Sequence, residues 1–193
     1  MTRLFSTLSC LLLLLPSVAF AHTGAAGDAI SFMHGFSHPM GGVDHLLAMI
    51  AVGIWAAQIG GRAVWLVPTA FVVVMILGGV VGFSGINMPF IEQGILVSVL
   101  IMGVLIAGAF KLPLQFSTAI VAVFAVFHGF AHGAEMPATI GAGVYVLGFA
   151  IATALLHVSG VLSGAIFKSI NMQLVNRLTG GAIALGGVYL AVA

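Results

Sequence analysis

The chain has 193 residues, of which 62% are hydrophobic and 5% are charged, and its formal net charge at pH 7 is +1. A water-soluble domain carries about 25% charged residues, so this composition excludes an ordinary soluble fold and indicates a protein of the lipid bilayer. So small a net charge gives no indication of a nucleic-acid partner, and none is expected. We predict an all-α membrane protein, a polytopic bundle of about six transmembrane helices.

The first 21 residues have the pattern of a secretory signal peptide. Arg3 supplies the positive charge, Leu11 to Leu15 form the apolar centre, and Ala19-Phe20-Ala21 has the A-x-A cleavage pattern. Cleavage after Ala21 leaves a mature chain that begins with His22. Because Cys10 is the only cysteine and lies in this segment, the mature chain would contain no thiol ligand and no disulfide. An uncleaved signal anchor is the alternative.

Residues 22–193 are predicted to form a single transmembrane helical domain. Six apolar segments each have about the 20 residues that cross ~30 Å of hydrocarbon. A shorter segment, 27–37, cannot cross and is predicted to be an interfacial or re-entrant helix. The predicted spans lie at about 39–59, 63–83, 90–110, 113–136, 138–167 and 172–193.

Four basic residues of the predicted mature chain indicate its orientation. Arg62, Lys111, and the pair Lys168 and Arg177 fall in alternate connections between the predicted spans. By the positive-inside rule these connections are cytoplasmic, which puts both termini outside. A cleaved signal peptide delivers the N-terminus to the same side. We therefore predict a multi-pass protein of the bacterial inner membrane whose mature N-terminus is periplasmic.

The other ionisable residues sort almost entirely to the periplasmic side. Ionisable groups cost about 2.5–3.5 kcal/mol each in a membrane helix and commonly mark ion pathways. Only His157 departs from the pattern, and two interpretations of it stay open: a core histidine with satisfied hydrogen bonds, or a pathway residue. The residues before the first span or near the outer end of a span are Asp28, Asp44, Glu92, Glu135, His22, His34, His38, His45, His128 and His132.

The first cluster of predicted ligands is His38-Pro-Met-Gly-Gly-Val-Asp44-His45. Pro39 suits the first turn of a helix, with His38 near its N-terminal cap. In a helix that begins there, His38 and His45 are seven residues apart and share a face. Asp44 points elsewhere, where it either orients an imidazole or ligates from the side.

The second cluster is His128-Gly-Phe-Ala-His132-Gly-Ala-Glu135. Steps of four and three residues put its three ionisable side chains on one stripe of a helix that ends before Pro137. Two imidazoles and a carboxylate form a nitrogen and oxygen site for a transition metal. This cluster predicts a metal site that needs no distant partner.

Both clusters resemble the signature of a known family. The H-x5-D-H pattern that ends at His45 and the F-H-G-x-A-H-G-x-E pattern from Phe127 to Glu135 are similar to those of the HupE/UreJ family of hydrogenase and urease accessory membrane proteins. The mature His22 after an Ala-x-Ala signal belongs to the same resemblance, which covers the whole chain. It implies six spans after signal removal and a permease for nickel, in some members cobalt, that supplies nickel enzymes.

The resemblance also implies roles for particular residues. It places Phe71 at the family's aromatic position in the second span, and Glu92 at the head of the third span. The residues of the two motifs with implied functional roles are His38, Asp44, His45, His132 and Glu135.

We therefore predict a permease, not an enzyme, whose cargo is Ni²⁺ or else Co²⁺. No organic cofactor is expected, and the link to nickel-enzyme maturation proteins is expected to be indirect. The predicted metal ligands are His38, Asp44, His45, Glu92, His128, His132 and Glu135, with His22, His34 and Asp28 as additional ligands and Phe71 and His157 as pathway residues.

Three alternatives remain open from the sequence. A Cu(I) handler would use the thioethers of Met33, Met40, Met88 and Met136. A metal-binding accessory protein or sensor would bind without transport. An intramembrane metalloenzyme would use the site to activate water, although the sequence has no HEXXH motif and no serine-centred nucleophile arrangement.

Overall fold

The computed structural model describes residues 23–136 and 141–193. Within these ranges the chain forms seven α-helices and one 3-10 turn and no strand, which confirms the all-α prediction. The predicted signal peptide 1–21, His22 and Pro137 lie outside the described residues. The helices are α1 (Thr23–Ser37), α2 (Val43–Ile59), α3 (Ala63–Phe83), α4 (Ile91–Ala107), α5 (Leu114–Ala134), α6 (Ala142–Ser169) and α7 (Gln173–Val192), with the 3-10 turn His38–Met40 between α1 and α2.

The described helices form a multi-pass arrangement. Helices α3, α5, α6 and α7 are long and apolar enough to cross a membrane, and the bent pair of α1 and α2 is a fifth candidate. Helix α4 is apolar but has only 17 residues. At 1.5 Å per residue such a helix spans about 26 Å, near the lower limit for a bilayer. The structure thus has four or five candidate spans among the described residues, where the sequence predicted six.

The first predicted span begins later than expected. Helix α2 starts at Val43, because Gly42 has an extended backbone (φ −108°, ψ 126°) that separates the helix from the preceding 3-10 turn. The two parts of this bent pair meet at 80°. His38 and His45 therefore do not share a helix face, and that prediction was wrong. The adjacent Gly41-Gly42 pair provides the break, since two residues without a Cβ favour a turn over a continuous helix.

The other helices lie close to their predicted ranges. Helix α3 coincides with 63–83, and α4 is shorter than 90–110 at its C-terminal end, where Ala109 has a left-handed backbone (φ 53°). Helix α6 is displaced from 138–167 and continues to Ser169. Arg177 lies in the second turn of α7 and not in the preceding connection.

Helix α2 occupies the centre of the bundle and packs against α3, α4, α6 and α7. Two close helix crossings bring the histidine-bearing segments together. A Cβ on Gly129 would collide with the Met75 carbonyl where α5 crosses α3, and a Cβ on Gly53 would collide with the His157 carbonyl where α2 crosses α6. Small residues permit such approach in membrane proteins, where lipid supplies no hydrophobic drive for helix association. Both crossings therefore depend on glycine at the point of contact.

The bundle has two chemically different ends. Helix α2 carries His45 at one end and Gln58 at the other, where Lys111, Lys168 and Arg177 line a cavity of about 90 Å³. We call this the basic end. The opposite end, called the histidine end, is formed by the start of α2, the end of α5 and the 3-10 turn, and it carries His38, Asp44, His45, His128, His132 and Glu135.

Candidate metal centre

His38, His132 and Glu135 lie together at the surface of the histidine end. His38 Nε2 is 3.0 Å from Glu135 Oε2, and the two side chains are 31% and 57% exposed. The ring of His38 packs edge-on against that of His132, with centroids 4.7 Å apart. One potential ligand atom from each of the three residues lies within 4.8 Å of the other two. Since metal–ligand distances are about 2.0–2.2 Å, a small inward movement of the three side chains would let them bind one ion.

The break before α2 accounts for this contact. The 3-10 turn and the Gly41-Gly42 pair turn the chain by 80°, so that His38 lies over the end of α5 instead of on α2. Glu135 is the residue that follows α5 at its C-terminal end. Its carboxylate reaches His38 at the surface, while His128 and His132 face the core.

Behind this surface group the imidazoles continue inward as a row. The ring of His45 lies 4.4 Å from that of His132 and 4.8 Å from that of His128, measured between centroids. The side chains of His38 and His45 are 31% and 13% exposed, whereas His132 and His128 are buried, at 4% and 0% exposure. We call His38, His132, His45 and His128 the histidine row.

Asp44 orients the ring of His45. One carboxylate oxygen, Oδ1, accepts the backbone N–H of His45 at 2.8 Å and lies 2.9 Å from its ring Nδ1. Because an ionised carboxylate can only accept hydrogen bonds, the ring proton is on Nδ1 and the lone pair is on Nε2. Nε2 is buried and has no hydrogen-bond partner among the described residues. This arrangement matches the carboxylate–histidine pairs that orient metal ligands.

Ser98 on α4 orients His128 in the same way. Its hydroxyl donates to the Ile95 carbonyl at 2.6 Å, so the oxygen accepts the Nε2–H of His128 at 2.9 Å. The lone pair of His128 is therefore on Nδ1. That atom too is buried and unpartnered within the described part of the chain.

The row thus buries several ring nitrogens that no described protein group satisfies. Both nitrogens of His132 are unpartnered, in addition to His45 Nε2 and His128 Nδ1. A buried polar atom without a partner costs about 1–3 kcal/mol. Neutral imidazole lone pairs that lie close together suit a divalent transition metal ion, which would satisfy them at once.

Three aromatic rings pack against the histidine row. Phe149 lies 4.1 Å from His132, and Tyr145 lies 5.9 Å from His38, both measured between ring centroids. Phe71 lies beneath His128 at 5.5 Å. His132, Tyr145 and Phe149 also line a cavity of about 320 Å³. The aromatic rings lower the local dielectric, which strengthens the interaction of a cation with its ligands.

The other predicted ligands do not join the row. Asp28, His34 and Glu92 have exposed side chains on α1 and α4 and belong to no group of three or more ligand side chains in the described ranges. Of the methionines proposed for Cu(I), Met33 and Met40 are 56% and 46% exposed. His22 lies outside the described residues, and the roles of all these residues stay predictions.

Sequence reasoning missed Ser98, Tyr145 and Phe149. Ser98 had a weak signal, because it is the only polar side chain of α4 beyond the first turn. Tyr145 and Phe149 are spaced by four residues and share a helix face, but such aromatic pairs are equally common in packing. Their contact with the histidines depends on how α6 packs.

Comparison with known proteins agrees with the resemblance of the motifs. The family model described as "HupE / UreJ protein" matches residues 10–190. Protein HupE of Rhizobium leguminosarum bv. viciae is 44% identical over 191 residues, which cover 99% of this chain and 98% of that protein. No solved structure matches the chain. The apolar helices fit a multi-pass membrane protein, and the family match implies a role related to nickel or cobalt: the chain belongs to the HupE/UreJ family of hydrogenase and urease accessory proteins.

Proposed function

We propose that this protein is a permease, not an enzyme, that carries Ni²⁺, or else Co²⁺, across the bacterial inner membrane. The ion binds at the histidine end from the periplasm and is passed inward to supply nickel enzymes such as hydrogenase or urease. The observation that carries the proposal is the row of four imidazoles, which runs from a partly exposed to a fully buried position and leaves four of its buried ring nitrogens unpartnered by the described residues.

The arrangement of the ligands favours transport over permanent binding. A structural metal site surrounds one ion with a closed set of ligands. Here successive rings are 4.4–4.8 Å apart between centroids, so an ion can exchange one ligand at a time. Conduction requires binding that is shared among several sites and weak enough at each for release. In this mechanism His38 and Glu135 capture the ion, and His132, His45 and His128 receive it in turn.

The proposed topology has six spans, with α1 and the 3-10 turn as a re-entrant segment before α2. The signal peptide is cleaved and both termini are periplasmic. The clustering of Lys111, Lys168 and Arg177 at the basic end supports this orientation, because it puts the cationic side chains on the side opposite the histidines.

The cargo is assigned from ligand chemistry and family together. Imidazole and carboxylate ligands suit Ni²⁺, Co²⁺, Zn²⁺ and Cu²⁺ alike, so the ligands do not select nickel by themselves. Membership of a hydrogenase and urease accessory family supports nickel or cobalt. A Cu(I) handler has less support: of the methionines proposed for it, Met136 lines a cavity beside His132, but Met33 and Met40 are exposed at 56% and 46%.

Radiolabelled nickel uptake into proteoliposomes tests the proposal. We expect time-dependent uptake by the intact protein, and at limiting nickel at least a tenfold lower rate for His38→Ala and for Glu135→Ala. Leu155→Ala is the matched control, because this side chain is 53% exposed on the lipid-facing side of α6. Nickel binding without uptake would contradict the proposal and favour the non-transporting accessory protein, and Cu(I) uptake in preference to nickel would favour the copper alternative.

A further inference from the structure

His157 is a buried ionisable side chain that the proposed mechanism does not yet use. It lies about 22 Å along α6 from its start, whereas His128 lies only about 9 Å from the end of α5. The side chain is 1% exposed, and both ring nitrogens lack a hydrogen-bond partner among the described residues. The described residues thus offer no hydrogen-bond partner to His157, which favours its interpretation as a pathway residue over that of a satisfied core histidine.

The surroundings of His157 contain two further donor atoms. Thr153, one turn away on α6, is fully buried and donates its hydroxyl to Met75 Sδ at 3.7 Å. Met75 is itself fully buried on α3, one turn from Phe71, whose ring meets that of His157 edge-on at 5.1 Å. An imidazole, a hydroxyl and a thioether thus lie within two successive turns of the interface between α3 and α6, which we call the inner layer.

This layer is separate from the histidine row but adjoins it. Phe71 contacts both imidazoles, with its ring centroid 5.5 Å from that of His128 and 5.1 Å from that of His157. Phe71 thus packs against both imidazoles, and no direct ring contact joins His128 to His157 among the described residues, so we assign them to two sites. A cation that reaches His128 therefore needs a new set of ligands to go deeper.

We propose that His157, Thr153 and Met75 form a second, inner binding site for the transported cation. The site rests on the proposed function and extends it inward. Entry is a ligand exchange without electron transfer: the bond from the metal to His128 Nδ1 breaks, and a bond to a neutral ring nitrogen of His157 forms. Nitrogen and sulfur donors suit late first-row divalent ions such as Ni²⁺ and Co²⁺, whereas Mg²⁺ and Ca²⁺ prefer oxygen.

A cavity of about 420 Å³ adjoins the inner site. It lies between α3 and α6, has His157 in its wall, and extends to Val64, near the N-terminal end of α3 and thus toward the basic end. The cavity wall has polar atoms despite its apolar lining. Thr69 contributes a hydroxyl, and Pro68 has no N–H to satisfy the Val64 carbonyl within the helix. The cavity opens at the side of the bundle, where Trp65, Val73, Val158 and Leu162 are 51–57% exposed, so it adjoins His157 without forming a closed path to the basic end.

The structural cost of His157 supplies a way to test its role. An unpartnered buried imidazole destabilises the fold, so an apolar residue of similar size is expected to be neutral or stabilising there. We expect His157→Leu to have a melting temperature equal to or higher than that of the intact protein. In proteoliposomes the same variant is expected to take up nickel at least tenfold more slowly, while the nickel affinity of the histidine end changes less than twofold.

The companion variants remove one donor at a time. Thr153→Val and Met75→Leu are expected to slow uptake about two- to fivefold, since each leaves His157 in place. Ile183→Val is the matched control, because it trims a buried side chain of α7 that carries no donor atom. We expect it to leave the uptake rate unchanged.

Cobalt binding to the purified protein is the readout that does not depend on transport. The visible absorption of Co²⁺ reports its ligands, and we expect the intact protein to bind one ion more than His157→Leu. A cobalt stoichiometry that is the same in His157→Leu and in the intact protein would overturn the inner site. So would nickel uptake by His157→Leu at the intact rate, and so would a loss of uptake that is explained by a lower melting temperature. If the intact protein binds cobalt but transports neither metal, the proposed function fails. The number of cobalt ions bound by the intact protein and by His157→Leu still tells whether the inner site exists.

Discussion

The buried polar atoms at the histidine end of the bundle differ from those at the basic end in their hydrogen bonding. At the histidine end, ring nitrogens of His45, His128 and His132 point into the protein without a partner in the described ranges. The groups that do have partners there, Asp44 and Ser98, hold the imidazoles in one orientation. The polar atoms of this end are therefore arranged for a cation that comes from outside the protein.

At the basic end the polar side chains stabilise the fold by donating hydrogen bonds to backbone carbonyls. They donate to carbonyls at the C-terminal end of α4 and in the connection that follows it, where helical hydrogen bonding ends. Two amide oxygens, Gln58 Oε1 and Asn176 Oδ1, have no described partner, but both residues line the cavity that holds three cationic side chains. The donating pairs are Trp55 Nε1 to Phe110 O at 2.9 Å, Gln58 Nε2 to Ile106 O at 3.1 Å and Arg177 Nε to Ala107 O at 2.7 Å.

This difference shows that burial of a polar residue in a membrane helix has two distinct causes. One is the completion of helix ends, which contributes to stability. The other is the provision of ligands, which costs stability until an ion binds. Variants at the two ends are therefore expected to separate stability from metal binding.

The largest effect is expected for His132→Leu, because this ring contacts both His38 and His45. We expect the nickel affinity to fall at least a hundredfold and the melting temperature to stay equal or rise, since two unpartnered ring nitrogens are removed. Calorimetric binding and thermal unfolding measure the two quantities. Val123→Ala, at a 57% exposed position of the same helix, is the control, and an unchanged nickel affinity in His132→Leu would refute the role of the row.

Asp44→Asn is expected to weaken nickel binding about 10- to 100-fold, the usual effect of removing the group that orients a metal-binding histidine. The amide keeps the size of the carboxylate but can donate a hydrogen bond, so the proton of His45 is no longer held on Nδ1. Nickel isotherms on the purified variant measure the effect. An affinity equal to that of the intact protein would show that the 2.9 Å contact does not set the tautomer.

Ser98→Ala is expected to have a smaller effect, about tenfold on nickel affinity, because it removes a neutral partner of His128. Ser98→Thr retains the hydroxyl and is the matched variant, for which we expect nearly intact binding. Equal affinities for the two variants, measured by the same isotherms, would mean that the hydroxyl is not required.

At the basic end Trp55→Phe is expected to leave nickel affinity within twofold of the intact value. It removes a buried hydrogen bond to the Phe110 carbonyl and part of a fully buried ring, so the free energy of unfolding is expected to fall by about 1–3 kcal/mol. Chemical denaturation and nickel isotherms test both expectations. A marked loss of nickel affinity in this variant would show that the basic end also contributes to nickel binding, which contradicts the proposed division of roles between the two ends.

Much of the fold could be predicted, because charge and apolar length act locally along the chain. The start of α2 could not, since two local signals conflict: Pro39 favours the first turn of a helix, and the following Gly41-Gly42 pair favours a break. In the structure Pro39 lies in the 3-10 turn, and the glycine pair separates that turn from the helix. That outcome decides where His38 lies.

The candidate site could likewise be predicted only in part from the sequence. Histidines and carboxylates could be selected from the sequence because they are costly in a membrane and rare in this chain. Ser98 could not, since a membrane serine ordinarily bonds to its own helix, as this one does with Ile95. Only the packing of α4 beside α5 brings it to His128, and only the packing of α3 against α6 brings Thr153 to Met75.

The most direct test of metal ligation at the histidine end is the nickel K-edge X-ray absorption spectrum of the purified protein loaded with one equivalent of Ni²⁺. We predict nitrogen and oxygen ligands at about 2.0–2.2 Å, with the multiple scattering that marks at least two imidazoles. A shell of water oxygens without imidazole scattering, or a shell dominated by sulfur, would contradict the assignment.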